Sequence, residues 1–386
     1  MKVVHFLVGG NFGGGTLVVL PIVRAQAKRG DEVWVFANDG ESCRLLREAG
    51  AQTVAIPFWR GPISPLDIFP FFAFWWFCLR HRIDLAITHT SKGGFLGRVA
   101  ARLAGVPKVV HYIHGFGFHE FTPTRTRAFY VWLERMAAKF ADMQVSVGEM
   151  HRTIAIEERI CPPEKIVTVL NGVDLSPFDR IDRAAARAQF GFGPDDLILG
   201  SAGRLATQKG FAYMLSAMPE ILAKHPGTTL AICGTGELEE DLKRQARELR
   251  IEKRVKFMGF RPDAREFMVA CDVFVHPSLW EGLSISLMEA MGSATPIASS
   301  RIPGNIEMIR HWENGLLMAP RDPKDIAANV IKLLDDQAWA RSLGRQAASD
   351  AREFFTLERM VKENLAVYDR LFGRKAVASG AQTIHA

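Results

Sequence analysis

Two glutamates eight positions apart, Glu281 and Glu289, bracket the small, apolar and serine-bearing core of "WEGLSISLMEAM". Carboxylates accept strongly from hydroxyls, so acids on either side of a helix start could hold the hydroxyls of a sugar or a ribose. The spacing alone is not selective, because Glu149/Glu157 and Glu240/Glu248 share it. The setting of the third pair is what sets it apart. "DVFVHPSLWEGLSISLMEAM" reads as strand, turn and helix, and it puts Gly282, Leu283 and Ser284 where the amides of a helix N-terminus suit a phosphate. Plainer readings stand beside this one. Ser286 followed three residues later by Glu289 is a capping-box pattern, and Glu281 alone would pass for a loop acid.

Cations occur where such a site would need them. In "SAGRLATQKGF", Arg204 and Lys209 share a loop that ends a strand and opens a helix. An arginine reaching bidentately and a lysine acting as a point charge could clamp a diphosphate, although a solvated basic loop has the same composition. "CGTGELEEDL" repeats the strand–loop–helix start with Gly234 and Gly236, and the backbone around Phe260 in "FMGFRPD" could read a nucleobase edge. Near the N-terminus, "VGGNFGGGTLVVL" follows the first strand without the spacing of a dinucleotide fingerprint. Gly13, Gly14 and Gly15 either relieve a turn or let a ligand approach the backbone. His114, in "VVHYIHGFGFHEF", is either a packed strand histidine or an acid–base group. No D-x-D motif or cluster of histidines and carboxylates calls for a metal, so none is expected.

The elements that must position these residues alternate. Short β-branched runs such as "KVVHFLV", "EVWVFA" and "DLAITH" are separated by helix-like segments, and a second series begins near residue 196 after "GFGPDD". Alternating strand and helix reads as α/β, with parallel sheets covered by helices. We therefore expect two tandem doubly wound, Rossmann-like domains facing a cleft. Their expected bounds are 1–180 and 190–355, with the hinge between residues 172 and 195. A helix at about 356–373 is expected to pack back on the first domain, followed by a disordered tail at 374–386. Ligands of such sheets bind beyond the carboxyl ends of the strands.

Composition limits the classes. The chain has 386 residues, net charge +6, and 48% apolar residues, enough for sizeable cores. Residues 1–180 carry 21 Lys/Arg against 16 Asp/Glu, a mildly basic half that suits an anionic partner. The basic residues form no dense patch with a nucleic-acid module, so nucleic acid is not an expected partner. Five scattered cysteines without C-x-x-C point to a reduced, cytoplasmic setting. No apolar run reaches the roughly 18 residues of a membrane span, and the first residues are too short for a signal peptide.

Together these stretches resemble the retaining, nucleotide-sugar-dependent glycosyltransferases of the GT-B fold, of the family 4 type. The matching segments are the early "GGG", "NGVD", "SAGRLATQKG", "CGTGELEEDL" and "HPSLWEGLSISLMEAM", continuing through "GSATPIASSRIPGNIEMI" to "ENGLL". The resemblance implies a UDP- or GDP-linked donor as substrate and no separate cofactor. It implies that Glu281 meets the donor sugar and Glu289 the ribose, while Arg204, Lys209 and the amides of Gly282–Ser284 hold the diphosphate. His114 would lie by the donor sugar. A front-side attack assisted by the leaving phosphate would retain configuration. Thr16 departs from the pattern, standing where many relatives carry a glutamate.

The first domain should hold the acceptor. "FWRGPISPLDIFPFFAFWWFCLRHR" (58–82) is either a buried helix or an interfacial one, with Arg80, Arg82, Arg98 and Arg102 facing anionic lipid. "THTSKGGFLGRVAARLAGVPKVVHYIHGF" resembles bacterial members that extend sugars on undecaprenyl diphosphate in surface-polysaccharide assembly. That implies a lipid-linked saccharide acceptor and a peripheral position on the cytoplasmic face of the inner membrane. Ser91, Lys92 and Gly93 would then meet an acceptor diphosphate. The competing readings are a nucleotide-sugar epimerase or hydrolase on the same scaffold and a non-catalytic membrane-surface binding protein.

Overall fold

The computed structural model describes residues 1–7, 14–38, 40–58 and 64–374. Gly13 and the tail beyond residue 374 lie outside the described residues. The chain divides into two compact units, one of Met1–Asn171 with the segment from Leu357 onward, the other of Gly172–Thr356.

The first unit is built on seven strands: β1 (Lys2–Phe6), β2 (Glu32–Ala37), β3 (Gln52–Ala55), β4 (Leu85–His89), β5 (Lys108–Ile113), β6 (Met143–Ser146) and β7 (Ile166–Thr168). They lie in the order β3-β2-β1-β4-β5-β6-β7, every pair parallel. The second unit has β8 (Leu197–Ala202), β9 (Thr228–Cys233), β10 (Val255–Gly259), β11 (Val273–His276), β12 (Ile297–Ser300) and β13 (Leu316–Met318). Their order is β10-β9-β8-β11-β12-β13, again all parallel. The central strands read as unbroken apolar runs because helices cover both faces; every residue of β4 and of β11 is buried.

Strand order reverses between β1 and β4 and again between β8 and β11. A doubly wound sheet leaves a crevice for ligands at the carboxyl ends of such a pair. In the second unit the loops leaving these strands carry Arg204 with Lys209 and "PSLWEG".

The division of the chain falls after Asn171, earlier than the sequence boundary at 180. Val173 donates its N–H to the Phe355 carbonyl at 2.9 Å, and Phe178 packs beside Gly292, so residues 172–180 sit with the second unit. The helix Leu357–Leu371 belongs to the first unit. There Tyr112 donates to Asn364 and also bonds the Tyr368 hydroxyl, all three side chains being buried.

Candidate functional site

The loops leaving the second sheet are knitted together before any ligand is considered. Gly210, with φ of 66°, closes the turn Thr207–Lys209 and starts the helix Phe211–Lys224. Its hydrogen faces the Pro277 carbonyl, and a Cβ there would run into that oxygen. Only glycine combines this left-handed backbone with so close an approach. The approach brings the loop after β8 against the loop after β11. Leu279 donates to the Gln208 carbonyl at 2.7 Å, fixing the register between them. The loop after β9 joins through Leu205, which donates to Thr235 O and accepts from Leu238, each at 3.0 Å.

Glu281 sits at the centre of this junction. Lys209 Nζ donates to its Oε1 at 2.6 Å and Ser278 Oγ donates to the same oxygen at 2.9 Å. Gln208 Nε2 reaches Oε2 at 3.2 Å and the Trp280 carbonyl at 3.0 Å. His276 Nε2 lies 3.7 Å from Oε1. Burial alone would push the Glu281 carboxyl up. Lys209, His276 and Ser278 outweigh that and hold it below the ordinary carboxylate value. His276, buried and beside Lys209, is pushed down to about 3 and is a neutral ring. The junction is thus an ion pair set in neutral hydrogen-bonding groups. Arg204 stands apart, 54% exposed and 3.9 Å from the exposed Glu237, so its guanidinium can swing without breaking a buried contact.

Glu289 lies in the second turn of the helix Ile285–Gly292, whose N-cap is Ser284. It accepts from Arg265 Nε at 3.1 Å. Burial raises its carboxyl and Arg265 offsets part of the rise. The capping-box reading is corrected here: the helix begins at Ile285, so Ser286 is already inside it and bonds Ser284 Oγ at 3.1 Å. Leu283 and Ser284 are buried, and Gly304 abuts the Gly282 carbonyl so closely that a Cβ would not fit. Gly234 and Gly236 press on the carbonyls of Gly203 and Leu205 in the same way. Their glycine identity therefore has a packing cause whatever ligand they meet. Phe260 is exposed beyond β10.

In the first unit, Gly14 and Gly15 open the helix Gly14–Lys28. Among the described residues, a Cβ on Gly15 would meet only Leu7, at 3.9 Å. Thr16 is buried with its hydroxyl 3.1 Å from Ser42 Oγ. His114 follows β5 and is half-buried. Its Nε2 lies 3.0 Å from His89 Nδ1, His89 Nε2 lies 3.1 Å from His5 Nδ1, and His5 Nε2 lies 2.8 Å from Gln26 Oε1. Burial pushes His5 and His114 down to about 4 and His89 well below its ordinary value. Lys92 pairs with the buried Asp67 at 2.8 Å, so its charge is already partnered.

Two of the four arginines expected to face lipid are elsewhere. Arg98 is wholly buried, donating to the Gly94 carbonyl and to Glu134, each at 2.8 Å. Arg102 bonds Asp142 at 2.7 Å across the layer. Both lie on the helix Ser91–Leu103, between neighbours that absorb their charge. Arg80 and Arg82 are exposed. The helix Ile68–His81 resolves the aromatic segment into two faces. Phe74 and Cys78 are buried, while Phe69 (78%), Phe72 (53%) and Trp76 (58%) are exposed. The helix Thr124–Ala138 adds exposed Phe129 and Trp132, which the sequence reading overlooked.

Also overlooked were Gln208, His276 and Ser278 around Glu281, Arg265 on Glu289, and His5, His89 and Gln26 behind His114. A histidine or serine closing a strand, as in "VHPS", is the one signal that could have marked part of this set. Among the described residues, no three His, Cys, Asp or Glu side chains are grouped to hold a metal ion, and no helix is long and apolar enough to cross a membrane.

Family models described as "Glycosyltransferase Family 4" and "Glycosyl transferases group 1" match residues 12–177 and 182–350. The chain is 34% identical over 263 residues to the UDP-Gal:alpha-D-GlcNAc-diphosphoundecaprenol alpha-1,3-galactosyltransferase of Escherichia coli, covering 67% of this chain and 68% of that one. It is 24% identical over 367 residues to the N,N'-diacetylbacillosaminyl-diphospho-undecaprenol alpha-1,3-N-acetylgalactosaminyltransferase of Campylobacter jejuni, covering 91% and 94%. In fold it is similar to HepE of Anabaena in complex with UDP and glucose, with a TM-score of 0.82 at 23% identity over 96% and 99% of the two chains.

Proposed function

Since the chain belongs to the group 1 and family 4 glycosyltransferases, we propose that it moves a sugar, with retention, from a UDP- or GDP-linked donor to a saccharide on undecaprenyl diphosphate. The part-buried Lys209–Glu281 contact between the loops of β8 and β11 is the observation that carries this reading. It sets a cation and a hydroxyl acceptor side by side where a doubly wound sheet binds its ligand.

In this reading the donor's diphosphate lies on the loop after β8. Arg204 swings onto it, Lys209 shares its charge between the phosphate and Glu281, and the turn at Gly282–Ser284 supplies amides. Glu281, kept ionised by its neighbours, accepts from hydroxyls of the donor sugar. Glu289 exchanges some of its contact with Arg265 for the ribose, and Phe260 borders the base with the loop at Gly234 and Gly236 beside it. Gly14 and Gly15 give room for a ligand at the first sheet, and His114 meets a sugar hydroxyl. The bond from the anomeric carbon to the phosphate oxygen breaks as the acceptor oxygen bonds on the same face. The acceptor's proton passes to the departing phosphate. Negative charge grows on that phosphate, so fixed cations and amides act directly on the barrier and no metal is needed.

The lipid-linked acceptor is supported by the activities of the Escherichia coli and Campylobacter jejuni relatives. A peripheral position at an anionic bilayer, which we place on the cytoplasmic face, draws its support from the exposed aromatics of Ile68–His81 and from Arg80 and Arg82, which speak for a bilayer but not for its side. The test is a thermal-shift screen across nucleotide sugars, followed by product analysis with an undecaprenyl-diphosphate-linked saccharide. We expect one donor to stabilise the protein and its sugar to appear in the lipid-linked product. Equal turnover without acceptor would point to a hydrolase or epimerase, and no stabilisation by any donor to a binding protein.

A further inference from the structure

His5, His89 and His114 stand on one diagonal of the first sheet. His5 on β1 pairs with Ile87 of β4, and His89 lies two residues further along. His89 pairs with Tyr112 of β5, and His114 again lies two residues further. Residues two apart in a strand share a face, so the three rings climb one face in equal steps. Their planes are close, 7° between His5 and His89 and 29° between His89 and His114, with the facing nitrogens 3.1 and 3.0 Å apart. Gln26, wholly buried on the helix Gly14–Lys28, closes the inner end. At the outer end, His114 Nδ1 bonds nothing among the described residues.

We propose that Gln26, His5 and His89 are positioning residues whose hydrogen-bond chain fixes the tautomer of His114 and leaves its Nδ1 a bare acceptor for a sugar hydroxyl. This rests on the reading that His114 meets substrate. A neutral imidazole donates from one nitrogen and accepts at the other. With Gln26 Oε1 as acceptor, His5 carries its proton on Nε2 and accepts at Nδ1. His89 must then donate from Nε2 and accept at Nδ1, and His114 must donate from Nε2. No single ring can change without the next one changing. All four groups lie in the first unit, and two interior rings are wholly buried, so solvent cannot satisfy a reversed member. Which ring nitrogen carries the proton is set by the hydrogen bond the other makes, so partners behind a functional histidine fix its tautomer and orientation.

The tautomer is read directly, without substrate, by long-range nitrogen–proton correlation of the ring nitrogens in ¹⁵N-labelled protein. The His114 signals are assigned by their loss in His114→Gln. We expect wild type to carry the His114 proton on Nε2 with a bare Nδ1, and Gln26→Leu and His5→Phe to give a mixed or reversed signature with the other resonances in place. A proton on His114 Nδ1 in wild type overturns the proposal. So do unchanged His114 nitrogens in either folded variant. In turnover, Gln26→Leu should lower kcat by up to about tenfold, the worth of one hydrogen bond, with the nucleotide affinity unchanged. If the tautomer responds while His114→Gln retains full activity, the relay stands and the role given to His114 fails. A loss seen also in acceptor-free donor hydrolysis places the hydroxyl on the donor sugar, and a loss confined to transfer places it on the acceptor.

Discussion

The two sheets repeat one strand order, and at equivalent places they are furnished in opposite ways. Between β8 and β11 the second unit holds a largely enclosed ion pair, Lys209 with Glu281, ringed by Gln208, Ser278 and a neutral His276. Between β1 and β4 the first unit carries, among the described residues, no ion pair at the corresponding place but a file of neutral imidazoles ending on Gln26. Burial explains both. A charge taken from water survives only beside a partner of opposite sign, whereas an imidazole can simply give up its proton. The topology supplies a crevice, and the residue types decide whether it presents charge, suited to a diphosphate, or directed neutral hydrogen bonds, suited to hydroxyls.

The comparison breaks most sharply at Lys209. Lys209→Ala should lower turnover on the order of a hundredfold or more, because it removes a cation from the developing phosphate charge. It also leaves the largely enclosed Glu281 without its cation, which should cost on the order of 1–3 kcal/mol of stability in denaturant unfolding. The double variant Lys209→Ala with Glu281→Gln should regain most of that stability and none of the turnover. A double variant as unstable as the single one would mean that packing of the lysine stem, rather than charge pairing, holds the junction.

Acid should separate the two units next. A histidine with its pKa lowered on folding binds fewer protons folded than unfolded, so its stabilising contribution is complete above about 6.5 and is lost as pH falls toward the folded value. His5, pushed down to about 4, would alone withdraw on the order of 2 kcal/mol at pH 5. His89, His111, His114 and His151 of the same unit act in the same direction. In the second unit His276 shares this behaviour, but the lowered Glu281 carboxyl loses its contribution only below the ordinary carboxylate range. Hydrogen exchange at pH 7 and pH 5 should show amides of β1, β4 and β5 losing more protection than those of β8, β9 and β11. Equal loss in both sheets would mean the imidazoles are not neutral in the folded chain.

What could be read from the sequence follows the same physics. Alternating β-branched and helical runs imply doubly wound sheets because each strand carries its own burial pattern. Lys209 and Glu281 were identifiable singly from their loops. Their contact was not, since it depends on Gly210 meeting the Pro277 carbonyl, a long-range approach. His5 and His89 were not singled out, because their meaning comes from strand register. Arg98 misled for a related reason: its position on the helix Ser91–Leu103 reads as basic surface, and only the packing of Glu134 against it reveals a buried pair. Partners in sequence-local motifs are legible; partners brought together by pairing across a sheet or a layer are not.

The carboxylates of the second unit can be told apart by a smaller effect. Glu289→Gln should weaken affinity for the free nucleoside diphosphate about tenfold, the worth of a charge-assisted hydrogen bond to a ribose that the product still carries. Glu281→Gln should leave that affinity nearly unchanged and damage transfer, because its partner is the sugar. Calorimetric titration separates them. Unaltered affinity in Glu289→Gln would leave Arg265 as its sole partner and restrict the ribose contact to other residues.

The smallest effect on the molecule itself should come from its exposed aromatic face, which extends the contrast to the surface of the first unit. Phe69 and Trp76 are more than half exposed, whereas Phe74, on the same helix, is fully buried among Phe6 and Phe36. Exposed side chains away from packed features change stability by about 0.5 kcal/mol or less, so Phe69→Ser with Trp76→Ser should leave the unfolding midpoint and the nucleotide affinity in place. Phe74→Ala should cost on the order of 3 kcal/mol, as loss of a core aromatic does. If the face meets a bilayer, the double variant should nevertheless lose sedimentation with anionic liposomes. Arg80 and Arg82 each add about 1 kcal/mol near a charged surface, screened by salt, so wild-type binding should fall as salt rises. A double variant that binds liposomes as wild type does would show that these aromatics do not hold the protein to lipid.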